Sequence, residues 1–318
     1  MAMNRIQFQP GLSLRELNKL YGTESQCEEA LEKMRWPTGF RCPKCQNDSH
    51  CIVWHGETKT FQCNRCHAQT TLTGGTIFHA TKLCLVIWFQ AMYLMTQSKN
   101  IISAMELMRT LGVGYCAAWR IKHKLMQVMC EREEQTVLSG RIELDDAYLG
   151  GEENGGLVGR GSANKTPFVA AVETNEQGHP RRAIFTKVQA FSSSELAAWA
   201  IRHVSPHSVV VSDSLACFRA VTASGCDHQP QVVGKGRKST GMGCFNWVNT
   251  ILGNLKTAIA GTCHAFDFEK YADRYLAEVQ YCFNRRFDMR SIFPKLLYAA
   301  AHTGKRPEAW LRMAELPI

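Results

Sequence analysis

The sequence predicts a multidomain α+β chain, and three observations predict it. Two Cys-x-x-Cys pairs stand near the front, a stretch of helical periodicity with few breakers follows, and after Glu131–Gln135 the texture turns to strands. On that pattern the chain divides into an N-terminal helical segment over 1–36, a cysteine-knuckle domain over 37–80, a helical region over 81–136, and a strand-rich domain with C-terminal helices over 137–318. A length of 318 residues allows several hydrophobic cores, and 45% hydrophobic with 20% charged residues excludes a mainly disordered chain. A net charge of +9 suits a polyanionic partner, although nucleic acid, acidic lipid and composition drift all produce it. The longest apolar run, Leu83 to Met95, contains Gln90 and is too short to span a bilayer, and the first residues lack signal-peptide order. The expectation is a cytoplasmic protein with no membrane partner.

The first domain is read from Cys42-Pro-Lys-Cys45 and Cys63-Asn-Arg-Cys66, separated by seventeen residues. Each short turn offers two thiolates, and the intervening hairpin brings the knuckles onto one tetrahedral ion, so the spacing predicts a zinc ribbon. Four thiolates close the coordination shell, which makes the zinc structural and leaves His50, His55 and His67 as surface histidines and Cys51 as a core thiol. Of the fourteen cysteines, the rest, such as Cys84, Cys116, Cys217 and Cys282, sit among apolar residues and read as buried thiols. Arg41, Lys44, Lys59, Arg65 and His67 on the ribbon suit a phosphate backbone, and protein-binding ribbons carry similar surfaces.

Around Gly112 the segment "SAMELMRTLGVGYCAAWRIKHKLM" reads as two helices about a glycine turn, the second carrying Trp119, Arg120, Lys122, His123 and Lys124. A short helix pair whose second member is basic has the look of a DNA-reading helix-turn-helix, and ordinary helical hairpins share that look. Glu131–Gln135 reads as a solvated helix end and linker.

Alternation then marks strands. In "RIELDDAYLGG", Ile142 and Leu144 share one face while Glu143 and Asp145 share the other. "TPFVAAVETN" and "RRAIFTKVQAF" follow as strands, "SSSELAAWAIRHV" as a capped helix, and "SVVVSD" as a buried central strand ending in Asp213. Taken singly, either acid reads as a turn or cap residue. Two acids at core strands, followed by a polar-faced helix, point to a hard divalent cation such as Mg²⁺, with Glu143 and Asp146 as competitors for the place of Asp145. The glycine-rich "GGEENGGLVGRGSANKTPF" lacks Walker spacing and reads as a partly basic hairpin loop. In "CFNWVNTILGNLKTAIAG", Asn246, Asn249 and Lys256 line one side of an otherwise apolar helix, and Asn249 and Lys256 are two turns apart.

The run of motifs "RWPTGFRCPKC", "ELDDAYLGG", "GRGSANKTP", "SDSLACF", "NWVNTILGNLKTAIAGTCHAF" and "YLAEVQYCFNRRF" resembles, in order, the insertion-sequence transposases that join a zinc ribbon to a ribonuclease-H-like catalytic domain. The resemblance covers nearly the whole chain. It implies three antiparallel strands and then alternating helices and strands, with the first acid on strand one and the second at the end of strand four. Carried over by motif, Asp145 and Asp213 are the paired metal ligands. The third position, glutamate in most relatives of the superfamily, falls on Asn249 with Lys256 downstream, as in an Asp-Asp-Asn-Lys branch. The implied cofactors are a structural zinc and two divalent cations, Mg or Mn. The implied partner is double-stranded DNA, both element ends and target, bound by a homo-oligomer at the bacterial nucleoid. The implied function is binding of the element's terminal repeats, with strand cleavage and strand transfer. Basic residues such as Lys235, Arg237 and Lys238 are read as tracking the DNA backbone. The alternative is a catalytically silent, domesticated DNA-binding derivative, a reading that Asn249 favours and that Asp145, Asp213 and Lys256 oppose.

Overall fold

Local capping signals start the first helices of the computed structural model, which describes residues 6–98, 100–150, 165–232, 243–263 and 266–313. Ser13 and Glu16 form a reciprocal capping box at helix α1, Leu14–Tyr21, and Thr23 and Gln26 do the same at α2, Glu24–Arg35. Strands β1 (His50–His55), β2 (Thr58–Cys63) and β3 (Gln69–Thr71) form a small antiparallel sheet. Arg35 ties this sheet to α2: its guanidinium donates to the carbonyls of Thr71, Leu72 and Gly74 at 2.8, 2.5 and 2.5 Å.

The apolar run becomes helix α3, Leu85–Gln97, a core helix whose first N–H groups are capped from α2. Glu24 accepts from Leu85 and Val86 at 2.7 and 3.2 Å. Among the described residues no helix is long and apolar enough to cross a membrane. Helices α4, Ala104–Leu111, and α5, Tyr115–Glu133, meet at Gly112, whose left-handed φ of 65° ends α4.

Packing around α5 corrects the reading of its basic residues. Lys122 and His123 are 0% and 2% exposed. Lys124 donates to the Ile77 carbonyl at 2.8 Å and lies over the Trp88 ring. Trp119 stacks on His123, and Arg312 covers it at 4.6 Å. Arg120 remains exposed and pairs with Glu308 at 3.4 Å. Tyr115 and Cys116 in the first turn of α5 are exposed as well. Cys116 and Cys84 are therefore exposed thiols, and Cys51 is exposed on β1, while Cys217 is buried as expected.

The chain separates into two compact units, Met1–Val128 with Arg285–Ile318, and Met129–Asn284. The C-terminal helices α9 (Met289–His302) and α10 (Glu308–Met313) thus belong with the N-terminal unit, whereas the sequence reading placed them in the strand-rich domain. The reason is apolar: Phe293 of α9 closes an aromatic cluster with Tyr21 and Phe89, ring centroids 5.2 and 5.8 Å away.

In the second unit β4 (Arg141–Leu149), β5 (Thr166–Thr174), β6 (Pro180–Lys187), β7 (Val209–Asp213) and β8 (Asp227–Gln231) form one sheet in the order β6-β5-β4-β7-β8. The first three are antiparallel, and β7 and β8 run parallel to β4. Numbered from β4, the order is 3-2-1-4-5. Ile142, Leu144, Val169, Ile184 and Val210 pack with Leu196 and Trp199 of helix α6, Ser193–His203, and with Phe218 of a 3₁₀ turn. Helix α7, Asn246–Thr262, lies against β4 and β5 and buries Val248, Ile251, Leu252 and Leu255.

Helix α8, Phe268–Arg285, seals the β6 edge with side chains. Asn284 accepts from Ala183 N–H at 2.7 Å and donates to its carbonyl at 3.0 Å, and Gln280 accepts from Phe185 N–H at 2.8 Å. Both amides donate to Glu133, at 2.7 and 3.1 Å, and Glu133 is 4% exposed. Part of the expected solvated linker is therefore a buried carboxylate that orients two amides, which protects an edge that would otherwise be open to pairing. Asn284→Ala removes a donor and an acceptor from buried backbone. The expected cost is about 3 kcal/mol, read as a lower urea midpoint at unchanged slope.

Candidate functional site

The ribbon cysteines converge as the spacing requires. The Sγ atoms of Cys42, Cys45, Cys63 and Cys66 all lie within 4.8 Å of one another, with Cys42–Cys66 and Cys45–Cys63 at 3.5 Å. These separations are too long for disulfides, about 2.05 Å. They are near the roughly 3.8 Å between sulfurs in a tetrahedron with zinc–sulfur bonds of about 2.3 Å. The two knuckles repeat one backbone turn: Gln46 N–H donates to the Cys42 carbonyl and His67 N–H to the Cys63 carbonyl, each at 2.9 Å. Gln46 and His67 adopt strained left-handed φ values of 62° and 55° to make that turn. The N–H groups of Cys66 and Arg65 pull the Cys63 thiol down, while burial and the neighbouring thiols push Cys45 up, the opposed pair expected of four sulfurs crowded together. The donor set fits zinc. Arg41, Lys44, Arg65 and His67 are arrayed on the ribbon, with Arg41 and Lys44 exposed, while Lys59 pairs with Glu32 at 2.6 Å.

The second cluster forms where the pairing of β4 with β7 ends. That ladder stops at Leu144–Ser212, so Asp145, Asp146 and Asp213 stand just past its carboxyl end, the usual place for ligands in α/β sheets. One carboxylate oxygen from each lies within 4.8 Å of the other two. Asp213 Oδ1 accepts from Leu215 N–H at 3.0 Å, and Asp145 Oδ1 from Asp146 N–H at 2.9 Å. Burial, then the neighbouring charge of Asp146, then that of Asp213, push the Asp145 carboxyl up to about 7, and the Lys256 ammonium opposes the shift. Three converging carboxylates make an oxygen-ligand set that fits a hard divalent cation.

The structure therefore brings Asp145 and Asp213 together, with the Lys256 charge near enough to act on Asp145. Asn249 is exposed on α7, two turns before Lys256 on the same side, and its amide makes no hydrogen bond among the described residues. Asp146, read from sequence only as a rival of Asp145, joins it instead; the consecutive acids in "ELDDAY" were the available signal. Glu143, the other rival, is 3% exposed and turned to α7, where its Oε2 accepts from Trp247 and Val248 N–H, each at 2.9 Å. Lys235, Arg237, Lys238 and most of the glycine-rich loop lie outside the described residues.

The raised Asp145 carboxyl sets a pH dependence. Between the unfolded value near 3.8 and about 7, the folded chain holds a proton that the unfolded chain has lost, so this group makes stability fall as pH rises through that window. A divalent cation held by these carboxylates would take the ionised form and offset the loss. The increase in Tm on adding Mg²⁺ is expected to be larger at pH 8 than at pH 6, measured by scanning fluorimetry.

A sheet of order 3-2-1-4-5, three strands antiparallel and two parallel, with Asp145 and Asp146 within its first strand and Asp213 at the end of its fourth, defines the ribonuclease-H-like fold. Residues 137–284 match the model of the ISXO2-like transposase domain, and residues 22–69 that of the transposase zinc-ribbon domain, together more than half of the chain. The chain belongs to this family of insertion-sequence transposases. It is 26% identical over 145 residues to an uncharacterised protein in transposable element ISH50 of Halobacterium salinarum, a match covering 45% of this chain and 46% of that one. The chain thus spans about half the length of that curated relative. Among solved structures, the Mos1 strand transfer complex is 11% identical, covering 62% of this chain and 76% of that chain at a TM-score of 0.23. The Mos1 transposase paired-end complex with left transposon end is 9% identical, covering 68% and 78% at 0.25. Overlaps this small leave the fold assignment to the strand order.

Proposed function

We propose that the chain is a DNA transposase that binds the terminal repeats of its own element, cuts there in a reaction dependent on divalent cations, and joins the freed 3′-OH to target DNA. The observation that carries this reading is the convergence of Asp145, Asp146 and Asp213 beside Lys256. Divalent cations held there supply Lewis-acid activation of the attacking water and charge stabilisation of the leaving 3′ oxygen. Asp145 would hold such a cation in its ionised form. Asn249 offers an amide oxygen without charge, so Asp146 supplies the third negative ligand that a glutamate would otherwise bring. Lys256 holds a phosphate flanking the cut as a point charge. The ribbon residues Arg41, Lys44 and Arg65, together with the first turn of α5, contact the duplex, assembled as a homo-oligomer on paired ends.

Strand transfer is the test that separates this reading from its neighbours. A duplex ending in the element's repeat with a pre-cut 3′-OH, incubated with the protein, a supercoiled plasmid and Mg²⁺, is expected to yield joined products. Cutting without joining would restrict the protein to a nuclease. Binding without either would leave the silent DNA-binding derivative.

A further inference from the structure

Helix α7 carries Asn249 and Lys256 yet has no cap of its own. Its N-cap position is Phe245, no side chain there accepts from the first turn, and the first turn contains no acid. Its free N–H groups must still be satisfied, because unpaired donors are costly when buried. Glu143 does this from another element: the Trp247 and Val248 N–H groups both donate to its Oε2 at 2.9 Å. The carboxylate also places negative charge at the positive end of the helix dipole. Glu143 lies two residues before Asp145 on β4, hence on the same face of that strand, and Val248 immediately precedes Asn249.

We infer that Glu143 is a positioning residue for strand cleavage: it caps α7 from β4 and so fixes Asn249 and Lys256 in register with Asp145. The inference rests on the proposed function for its catalytic consequence, while the cap is testable without any reaction. One carboxylate joins the strand that bears the first acid to the helix that bears the amide and the lysine. Without it the helix start is free to shift by a fraction of a turn, and a displacement of about 1 Å at a reacting centre costs about 100-fold in rate. Glu143→Gln keeps an acceptor oxygen at this place, so that variant should retain most of the registration.

The experiment compares full-length wild type, Glu143→Ala and Glu143→Gln in two readouts: hydrogen exchange of α7 and β5 amides, and single-turnover cutting of a saturating labelled element end with Mg²⁺. In Glu143→Ala, exchange at Trp247 and Val248 is expected to speed up while β5 stays protected. Cutting should slow about 100-fold with end affinity within about twofold, and Glu143→Gln should recover to within about tenfold of wild type. Protected Trp247 and Val248 amides in Glu143→Ala would overturn the inference, as would cutting within about threefold of wild type. If the alanine variant fails to fold, the glutamine variant decides: protected amides with cutting as fast as expected uphold the inference, and protected amides with cutting slowed about 100-fold overturn it. If wild type itself does not cut, the proposed function fails, and the exchange result alone decides whether Glu143 is the cap.

Discussion

Replacing Asp145 with alanine is expected to slow Mg²⁺-dependent cutting of the element's end by about 1000-fold, with end binding within about twofold of wild type. Asp145 is the acid on which the other groups converge: Asp146, Asp213 and Lys256 all act on its charge. Removing it takes away one of the three converging carboxylates on which the proposed cation site depends. The same change relieves repulsion among three acids, so the metal-free variant should unfold no earlier than wild type. That combination, lost chemistry without lost stability, identifies a functional acid and not a structural one. It is checked by single-turnover kinetics alongside calorimetry in EDTA. Asp213→Ala is expected to behave alike, whereas Asn249→Ala, which removes no charge, should have the smaller effect.

The second large effect is loss of zinc. The buried apolar core of the ribbon consists of Phe40 and Phe61 with the ligands Cys42 and Cys63, and Trp36 packs beside it. A core so small does little to order the three strands unaided, and a bound zinc would supply the missing folding free energy. Cys63→Ser is therefore expected to lose the bound zinc and the amide protection of β1–β3, while β4–β8 keep theirs. Elemental analysis and hydrogen exchange check it. Because ligands must be deprotonated, zinc should also be released progressively as pH falls.

Much of this site was legible in the sequence because short-range chemistry dictates it. The knuckle spacing fixes four thiolates on one ion, the alternation around Ile142 and Leu144 puts Asp145 on the opposite face, and Ser192 with Glu195 starts α6 as its pattern requires. What was not legible depends on partners distant in sequence. Lys122 and His123 looked like DNA-reading residues because a helical wheel shows which residues share a face and not what packs on it. Glu133 looked solvated until Gln280 and Asn284 arrived from about 150 positions away to satisfy it. Phe293 draws the last helices to the first unit for the same reason. At the site itself, "ELDDAY" offers Glu143, Asp145 and Asp146 as close neighbours without dividing their roles. Only the position of α7, and the point where β4 and β7 stop pairing, separates Glu143, the helix cap, from Asp145 and Asp146 at the cluster.

The most direct measurement is nicking of a labelled duplex that carries the element's own terminal repeat, by the full chain with Mg²⁺, with EDTA as the zero. The account predicts a single nick at the repeat boundary that leaves a 3′-OH, absent with EDTA and absent with Asp145→Ala. Tight binding to the repeat by the wild-type protein, with no nick in either Mg²⁺ or Mn²⁺, would contradict it.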